Sequence, residues 1–305
     1  MTTTLVPIQR NKISIIIMTT LFVKQLTTLD FSYLCPKRGL VGETWLVDVS
    51  LSGELDEQGM VFDFGHVKKQ IKASLDVLAD HRLLVPTVST STQIIHKTFH
   101  NTKALTIHFE THTGEIIYQS PAQAVLLVDC PEITIPALTP WLETMLMKDL
   151  PDNVHSVHLT IYHEPIESAY YHYSHGLKKH LGDCQRIAHG HRSQIQILVD
   201  DHRAPDLETA WAERWKDIYI ATREDLLKTF TVDYVDYYLF GYTSDQGRFE
   251  LTIPASCCYL IDTDSTVELL AEHIARSSTR LRPGQTIKVM AFEGFNKGAI
   301  AIAPG

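Results

Sequence analysis

The segment from residue 171 to 191 collects side chains that can bind a metal ion, among them His175, Cys184, His189 and His191. Successive side chains of a β-strand point to opposite faces, so His189 and His191 project from the same face wherever this part of the chain is extended. An antiparallel neighbour carrying His175 would add a third nitrogen ligand. Three protein ligands and one exchangeable position are typical of catalytic zinc, whereas structural zinc sites usually close all four positions. The spacing therefore predicts a catalytic metal site.

Two questions about this segment stay open from the spacing alone. The chain contains 16 histidines, so a His-x-His pair also fits a solvated strand without a ligand role. Cys184 need not be a fourth ligand, because a thiolate beside a metal can act as a base or a nucleophile. Four cations lie nearby: Lys178, Lys179, Arg186 and Arg192. They could form a basic patch that binds a phosphorylated substrate, or they could simply be solvated side chains at a strand end.

A second pair with chemical potential, Asp80 and His81, directly follows the clearest helix of the sequence. Asp63 is a candidate N-cap for this helix. Apolar residues then recur at helical spacing, at Val67, Ile71, Leu75 and Leu78. An Asp-His pair just after the C-terminus of a helix can serve in proton transfer, or it can simply be a charge pair at the helix terminus.

The remaining elements are strand-rich. Alternating patterns predict strands at residues 21–32 and 46–51, and further strands within 90–128 with one turn at Asn101. A helix is predicted from about 137 to 146. The two segments GEIIYQSPAQAVLLVD (114–129) and GRFELTIPASCCYLID (247–262) place Gly, Pro-Ala and a final Asp in the same register. This repeat indicates two similar halves.

The bulk composition excludes several classes of protein. A chain of 305 residues, 44% of them hydrophobic, can bury one large or two modest cores. No apolar run approaches the ~18 residues of a membrane helix. The formal net charge of −9 argues against nucleic acid or an anionic membrane as a partner. Five cysteines without a C-x-x-C pair favour a reducing compartment, and we expect a cytoplasmic protein.

The metal-binding segment resembles that of the 6-pyruvoyltetrahydropterin synthase and 6-carboxytetrahydropterin synthase family. The resemblance is carried by an aromatic residue shortly before His175, by Cys184, and by HGH at 189–191 opening an alternating strand. It implies that His175, His189 and His191 bind zinc and that Cys184 is the catalytic base.

The first half is similar to the same family along GELDEQGMVFDFGHVKKQIKASLDVLADHRLL (53–84). This resemblance implies that Asp80 and His81 work with the cysteine in proton transfer. The same half departs from the family at the zinc positions, where the alignment places Cys35, Val41 and Glu43. Valine cannot bind a metal, so we expect this half to hold no zinc. The two halves are then complementary, and we expect a composite site formed within one chain or between chains.

Four further residues match substrate-binding positions of the family. Glu293 corresponds to the glutamate that anchors the pterin ring, and Glu164 corresponds to it in the first half. Thr266 and Glu268 match pterin-contacting positions at the start of a helix, in STVELLAEHIAR (265–276).

The resemblance implies an α+β fold of two tandem tunnelling-fold (T-fold) modules, each a four-stranded antiparallel sheet with two helices on one face. The predicted division is an N-terminal extension at 1–17, a first module at 18–168 and a second at 169–305. Met1 and Met18 are both candidate translation starts. Modules of this family associate into barrels, so a homo-oligomer is expected.

The implied reaction is that of a zinc-dependent 6-carboxytetrahydropterin synthase, a carbon-carbon lyase of queuosine biosynthesis. Such an enzyme converts 7,8-dihydroneopterin triphosphate to 6-carboxytetrahydropterin with release of acetaldehyde and triphosphate. One alternative is a 6-pyruvoyltetrahydropterin synthase, which only eliminates triphosphate. Two others are a non-catalytic module that binds a pterin or purine, and a protein with a purely structural zinc.

Overall fold

A computed structural model describes residues 18–99 and 102–305 of the chain. These residues form three β-sheets and four α-helices. The predicted extension at 1–17 and the predicted turn at Asn101 lie outside the described residues. None of the helices in the described ranges is long and apolar enough to span a membrane.

The first sheet is built from five strands of the N-terminal half: β1 (Thr19–Cys35), β2 (Gly39–Gly53), β3 (Leu83–Pro86), β7 (Val125–Val128) and β8 (Val154–His163). Their order across the sheet is β7, β3, β1, β2, β8. Two helices, α1 (Phe64–Leu78) and α2 (Ile135–Met147), contribute their buried residues to the same hydrophobic core as this sheet. The sheet and helices thus form one layered unit.

The second sheet is built from the C-terminal half, with strands β9 (Tyr170–His175), β10 (His189–Val199), β11 (His202–Arg203), β12 (Ile218–Thr222), β16 (Cys258–Ile261), β17 (Ile287–Phe292) and β18 (Gly298–Ala303). The order is β16, β12, β9, β10, β17, β18, and β11 pairs with β10 at the side. The helices α3 (Pro205–Arg214) and α4 (Val267–Thr279) pack into the core of this sheet.

The third sheet joins the halves. It contains β4 (Thr92–Phe99), β5 (Thr102–Thr111), β6 (Gly114–Pro121), β13 (Leu226–Val232), β14 (Val235–Ser244) and β15 (Gly247–Pro254). Each half supplies an antiparallel three-stranded meander, and β6 pairs with β15 to make one six-stranded sheet. The two copies of the sequence repeat occupy the same place in each half, as β6 to β7 and β15 to β16.

The predicted fold class is confirmed: each half is a sheet with two helices packed against it. The sheets are larger than the four antiparallel strands expected. Beside the antiparallel strands, each has two short parallel ones, β3 with β7 and β12 with β16. The strands β3, β7 and β12 are largely apolar and mostly buried, as expected for parallel strands inside an α/β layer, whereas β16 is mostly half-buried. The first helix and its Asp63 cap agree with the sequence, since the Asp63 carboxylate accepts the His66 amide.

Strand register relates the two halves residue by residue. Ser32 pairs with Gly42 in the first sheet, as Ser174 pairs with Gly190 in the second. The neighbouring parallel strands agree with this match, through the pairs Ser32–Leu83, Leu83–Val125, Ser174–Tyr219 and Tyr219–Cys258. Val125 and Cys258 also hold the same position in the sequence repeat. Residues in these paired strands of one half therefore have identifiable counterparts in the other.

The halves meet where the β1–β2 hairpin crosses the β9–β10 hairpin. A Cβ atom on Gly42 would lie 1.8 Å from the carbonyl oxygen of Tyr173, and one on Gly190 would lie 2.6 Å from Cα of Gly42. The hydroxyls of Ser32 and Ser174 lie 2.7 Å apart in the same buried contact. Only glycine lets the two backbones approach this closely.

Candidate active site

Three histidines of the second half form a buried cluster. His175 on β9 pairs directly with His189 on β10, and His191 projects from the same face as His189. All three side chains are at most 1% exposed. One ligand nitrogen from each lies within 4.8 Å of the others. The cluster has the size and the donor set of a metal site.

Backbone carbonyls fix the tautomer of two of these histidines. Nδ1 of His175 lies 3.0 Å from the carbonyl oxygen of Ser265, and Nδ1 of His189 lies 3.1 Å from that of Arg186. A carbonyl only accepts hydrogen bonds, so Nδ1 carries the proton and Nε2 keeps its lone pair. Nε2 of His175 is buried without a hydrogen-bond partner in the part of the chain that the structure describes.

His191 is held differently. Neither of its ring nitrogens makes a hydrogen bond of good geometry with any described residue. Its Nδ1 lies 3.3 Å from Oδ1 of Asp30, and its Nε2 lies 4.0 Å from Oε1 of Glu293. A buried imidazole without partners is costly unless something else binds it. The unpaired nitrogens therefore fit a metal ion bound by His175, His189 and His191.

The electrostatics of the cluster also favour a metal. Burial, together with the neighbouring histidines, holds the pKa of His175 and of His189 well below the ordinary value. Both rings are therefore neutral near neutral pH, which is the form that coordinates a metal.

The first half contributes Asp80 and His81 to the same place. Both follow α1, and His81 adopts a left-handed backbone with φ of 54°. Oδ2 of Asp80 lies 2.6 Å from Nδ1 of His81. The centre of the His81 ring lies 5.1 Å from that of His189. The Asp-His pair thus stands beside the histidine cluster of the other half.

Cys184 completes this arrangement. It lies in a short 3-10 turn at Gly182–Gln185, half-buried, and its sulfur lies within 4.8 Å of a ring nitrogen of both His81 and His189. Burial opposes protonation of His81, but hydrogen bonds to Asp80 and Cys184 outweigh it and raise the pKa of His81 to about 10. A protonated imidazole next to a thiol is suited to exchanging protons with it.

Arg186 ties the cysteine segment to the Asp-His turn. Its guanidinium is buried and donates to the carbonyl oxygens of His81 at 3.2 Å and Asp80 at 3.5 Å. It also pairs with Asp183 at 2.7 Å, next to Cys184 in the chain. Arg186 therefore holds together two segments that come from different halves.

The other three cations of the expected basic patch lie in ion pairs or contacts elsewhere. Lys178 pairs with Asp225 at 2.6 Å and Lys179 with Asp264 at 3.0 Å. The Arg192 guanidinium lies 4.2 Å from the centre of the Tyr170 ring. These partners satisfy the charges locally, so of the four only Arg186 contacts the candidate site.

Of the four expected substrate-binding residues, Glu293 lies beside the histidines, with Oε1 4.0 Å from Nε2 of His191. Thr266 caps α4 by accepting the Leu269 amide at 3.4 Å. Glu268 is exposed and lines a groove between α4 and β18. In the first half, the strand register gives His163 rather than Glu164 as the counterpart of Glu293. The sequence match to Glu164 was shifted by one residue.

The counterpart of the histidine cluster in the first half has different chemistry. Register places Tyr33 at the position of His175, which corrects the expected Cys35, while Val41 and Glu43 match His189 and His191 as predicted. Hairpin loops of unequal length had hidden this register from the sequence. Within the described ranges, no group of three candidate ligands forms at these positions.

An arginine holds this counterpart cluster together. Arg38 donates to the Tyr33 hydroxyl at 2.8 Å and to Asp217 at 3.0 Å. By register Asp217 matches His81, and it shares the left-handed backbone with φ of 53°. A guanidinium paired with a carboxylate thus occupies the region of the first half that corresponds to the candidate metal site.

Sequence reasoning missed two residues of the site, Asp30 and Lys297. Nζ of Lys297 lies 3.2 Å from Oδ2 of Asp30. Burial opposes ionisation of Asp30, but His191, Lys297 and a hydrogen bond from Thr44 hold its pKa well below the usual range. The available signal was an acidic residue between Leu29 and Phe31 in a strand whose neighbours are apolar.

Comparison with known proteins was made for the sequence and for the fold. Residues 32–172 match the family model described as 6-pyruvoyl tetrahydropterin synthase. A protein of Pyrococcus abyssi named "Putative 6-carboxy-5,6,7,8-tetrahydropterin synthase" is 26% identical over 137 residues, which are 45% of this chain and 76% of that protein. A protein of the same name from Pyrococcus horikoshii is 27% identical over 137 residues, with the same coverage of each chain.

Among solved structures, 6-pyruvoyl tetrahydropterin synthase from Plasmodium vivax aligns with a TM-score of 0.39 and 19% identity, over 49% of this chain and 94% of that one. The Plasmodium falciparum enzyme aligns with a TM-score of 0.38 and 16% identity, over 48% and 93%. The residues matched by the family model include Asp80 and His81, whereas His175, Cys184, His189 and His191 lie beyond them.

Proposed function

We propose that this chain is a zinc-dependent lyase of the 6-pyruvoyl tetrahydropterin synthase family that acts on a pterin, and the match of residues 32–172 to the model of that family supports the proposal. The specific reaction we propose is conversion of 7,8-dihydroneopterin triphosphate to 6-carboxytetrahydropterin, with release of acetaldehyde and triphosphate, as a step of queuosine biosynthesis. The names of the two Pyrococcus relatives favour this product over 6-pyruvoyltetrahydropterin.

One observation carries the proposal: a single chain brings His81 and Cys184 together beside three buried histidines. The first half supplies the Asp-His pair, and the second half supplies the cysteine and the candidate ligands. A purely structural zinc site usually closes all four positions. Three histidine ligands would leave the fourth position of a tetrahedral zinc for an exchangeable ligand.

Each residue has a role that its surroundings support. Glu293, half-buried beside His191, would hold the pterin ring by charge-assisted hydrogen bonds. Cys184 would remove and return a proton at the substrate side chain, with His81 as its partner and Asp80 orienting the His81 ring. A zinc ion on the three histidines would act as a Lewis acid for the substrate oxygens.

The test is turnover of 7,8-dihydroneopterin triphosphate by the purified protein, with products identified by mass spectrometry and metal measured by elemental analysis. We expect one zinc per chain. Cys184→Ala and His81→Ala should each lower kcat by at least ~100-fold while zinc is retained, because neither residue is needed to bind the metal. Cys257→Ala, at a half-buried cysteine in the short 3-10 turn between β15 and β16, serves as the matched control and should keep wild-type turnover.

The alternatives give different results. Formation of 6-pyruvoyltetrahydropterin without acetaldehyde would identify the triphosphate-eliminating reaction. Pterin binding without turnover would identify a non-catalytic binding protein. Unfolding of the chain on chelation would identify a structural zinc. Loss of turnover in Cys184→Ala but not in His81→Ala would disprove the composite site and leave the enzyme proposal standing.

We also propose that the protein is a cytoplasmic homo-oligomer. Within each chain, the proposed boundary between the two modules lies between residues 168 and 169. The strands β8 and β18 end their sheets, and such edges are able to pair with further strands. Light scattering of the purified protein tests the oligomeric state, and a monomer at working concentration would contradict it.

A further inference from the structure

The three candidate ligands differ in what holds their second ring nitrogen. His175 and His189 each face a carbonyl of their own half, whereas His191 faces a carboxylate of the other half, that of Asp30. A metal-binding histidine generally needs such an acceptor to fix its tautomer and ring orientation. Asp30 is in the right place to provide it.

We propose that Asp30 is a positioning residue that orients His191 toward the metal and fixes the position of the Asp80–His81 turn relative to His191. The inference rests on the proposed metal site. It adds that the first half completes the metal centre as well as supplying the proton-transfer pair.

The Asp30 carboxylate is itself fixed on several sides. Oδ1 accepts the Thr44 hydroxyl at 2.6 Å, and Oδ2 accepts from Nζ of Lys297 at 3.2 Å. Gly294 packs so closely that a Cβ atom there would lie 2.7 Å from Oδ1. The side chain is 3% exposed. A carboxylate held this firmly can impose an orientation on the imidazole that faces it.

The backbone of Asp30 contacts the proton-transfer pair directly. Its amide donates to Oδ1 of Asp80 at 2.7 Å, and its carbonyl accepts the His81 amide at 2.7 Å. One residue therefore touches His191 with its side chain and the Asp80–His81 turn with its main chain. A shift of Asp30 would move the candidate base and a candidate ligand relative to each other.

The counterpart positions support a specific role. Register matches Asp30 to His172 and His191 to Glu43, so the acid and the base have exchanged places there. Nδ1 of His172 lies 3.8 Å from Oε2 of Glu43. The carboxylate on β1, Asp30, faces the candidate ligand His191. Its counterpart on β9 is a histidine, His172, and that histidine faces Glu43, which is not a candidate ligand.

The experiment measures zinc affinity by competition with a chromogenic chelator, on the full chain, alongside kcat. Asp30→Asn should weaken zinc binding by roughly 10- to 100-fold, the usual effect of losing such a partner, and should lower kcat. Thr44→Val removes one hydrogen bond to the carboxylate and should cause a smaller loss of affinity in the same direction. The matched control is Asp48→Asn, a buried aspartate bound to Lys24, Gln25 and Tyr162, which should keep wild-type affinity.

The outcomes separate this inference from the proposed function. Zinc affinity unchanged in both Asp30→Asn and Thr44→Val, in a wild-type protein that binds zinc, would overturn the inference alone. A wild-type protein that binds no zinc would overturn both. If Asp30→Asn fails to fold, the affinity of Thr44→Val relative to Asp48→Asn decides: a loss supports the inference, and no loss overturns it.

Discussion

Burying an imidazole removes it from water, and the cost is recovered only if both ring nitrogens find partners. In the histidine cluster, carbonyl oxygens satisfy Nδ1 of His175 and of His189, while Nε2 of His175 and both nitrogens of His191 have no hydrogen bond to described residues. Three rings with lone pairs facing one another are unfavourable by themselves and favourable around a cation. The unpaired ring nitrogens of the buried histidines therefore identify the candidate metal site without reference to a substrate.

Glu293 should govern substrate binding rather than metal binding. Glu293→Gln keeps the size of the side chain but removes its charge, and hydrogen bonds to charged groups contribute about 1.5–3 kcal/mol. We expect KM for the pterin to rise roughly 10- to 100-fold, with zinc content unchanged. Steady-state kinetics and elemental analysis measure the two effects.

Glu272→Gln is the matched control, because Glu272 lies exposed on α4 and pairs with Arg276 within the same helix. An unchanged KM in Glu293→Gln would show that the pterin is held elsewhere.

At the scale of elements, the site depends on the crossing of two hairpins. The β9–β10 hairpin carries the three histidines, and the β1–β2 hairpin carries Asp30 and packs beside the turn that holds His81. Gly42 and Gly190 set the distance between these hairpins. Any side chain at the crossing would separate the candidate base from the candidate ligands.

Gly42→Ala tests this dependence. Its Cβ atom would meet the Tyr173 carbonyl at 1.8 Å, so the hairpins must move apart. Overpacking of this kind typically costs about 1–3 kcal/mol, and we expect a loss of that size in urea unfolding. Turnover should fall more than zinc content. All three histidines lie on the β9–β10 hairpin and would move together, whereas His81 is bonded to the β1–β2 hairpin and would move away from them.

Gly65→Ala provides the comparison, since its Cβ atom at the start of α1 would meet only the Asp63 side chain at 3.1 Å. Wild-type stability and turnover in Gly42→Ala would refute the role given to the crossing.

At the scale of the molecule, the two halves have become complementary rather than identical. Two carboxylate–histidine pairs connect the halves, Asp30 with His191 and Glu43 with His172. In each pair the first half supplies the carboxylate and the second half supplies the histidine. Two copies of the first half would set carboxylate against carboxylate. The charge pattern therefore favours pairing between unlike halves, and this pairing assembles the candidate metal site within one chain.

The same buried histidines make the metal-free protein sensitive to acid. His175 and His189 stay neutral in the fold but take up protons when unfolded, below the ordinary value of 6.5. The free energy of unfolding should therefore fall as the pH drops below that value, by up to roughly 1.4 kcal/mol per pH unit for each ring. His81, with its pKa raised to about 10, adds stability that is complete below 6.5 and is lost as the pH rises toward 10.

Urea unfolding in the presence of chelator, at about pH 5.5, 7 and 9, measures this profile, and we expect a maximum near neutrality. The double variant His175→Gln/His189→Gln should flatten the acid side, whereas His202→Gln, at an exposed histidine, should not. A wild-type profile that stays level from about pH 7 to 5.5 would contradict the buried neutral state.

The sequence by itself determined the local features. Helical spacing and a capping aspartate fixed α1, alternation fixed the strands, and the 114–129 repeat revealed the two halves. The common face of His189 and His191 followed from the two-residue period of a strand, which holds in any fold. Except for the repeat, these features depend only on residues close together in the sequence.

Only the tertiary structure decided which residues face one another across the halves. It placed Tyr33 rather than Cys35, and His163 rather than Glu164, at the counterpart positions, because strand register is set by the packing of a whole sheet and not by spacing along the chain. It also brought Asp30 to His191, and His81 to Cys184, across more than a hundred residues of sequence. Such contacts depend on how two folded units pack together, and no local pattern records that.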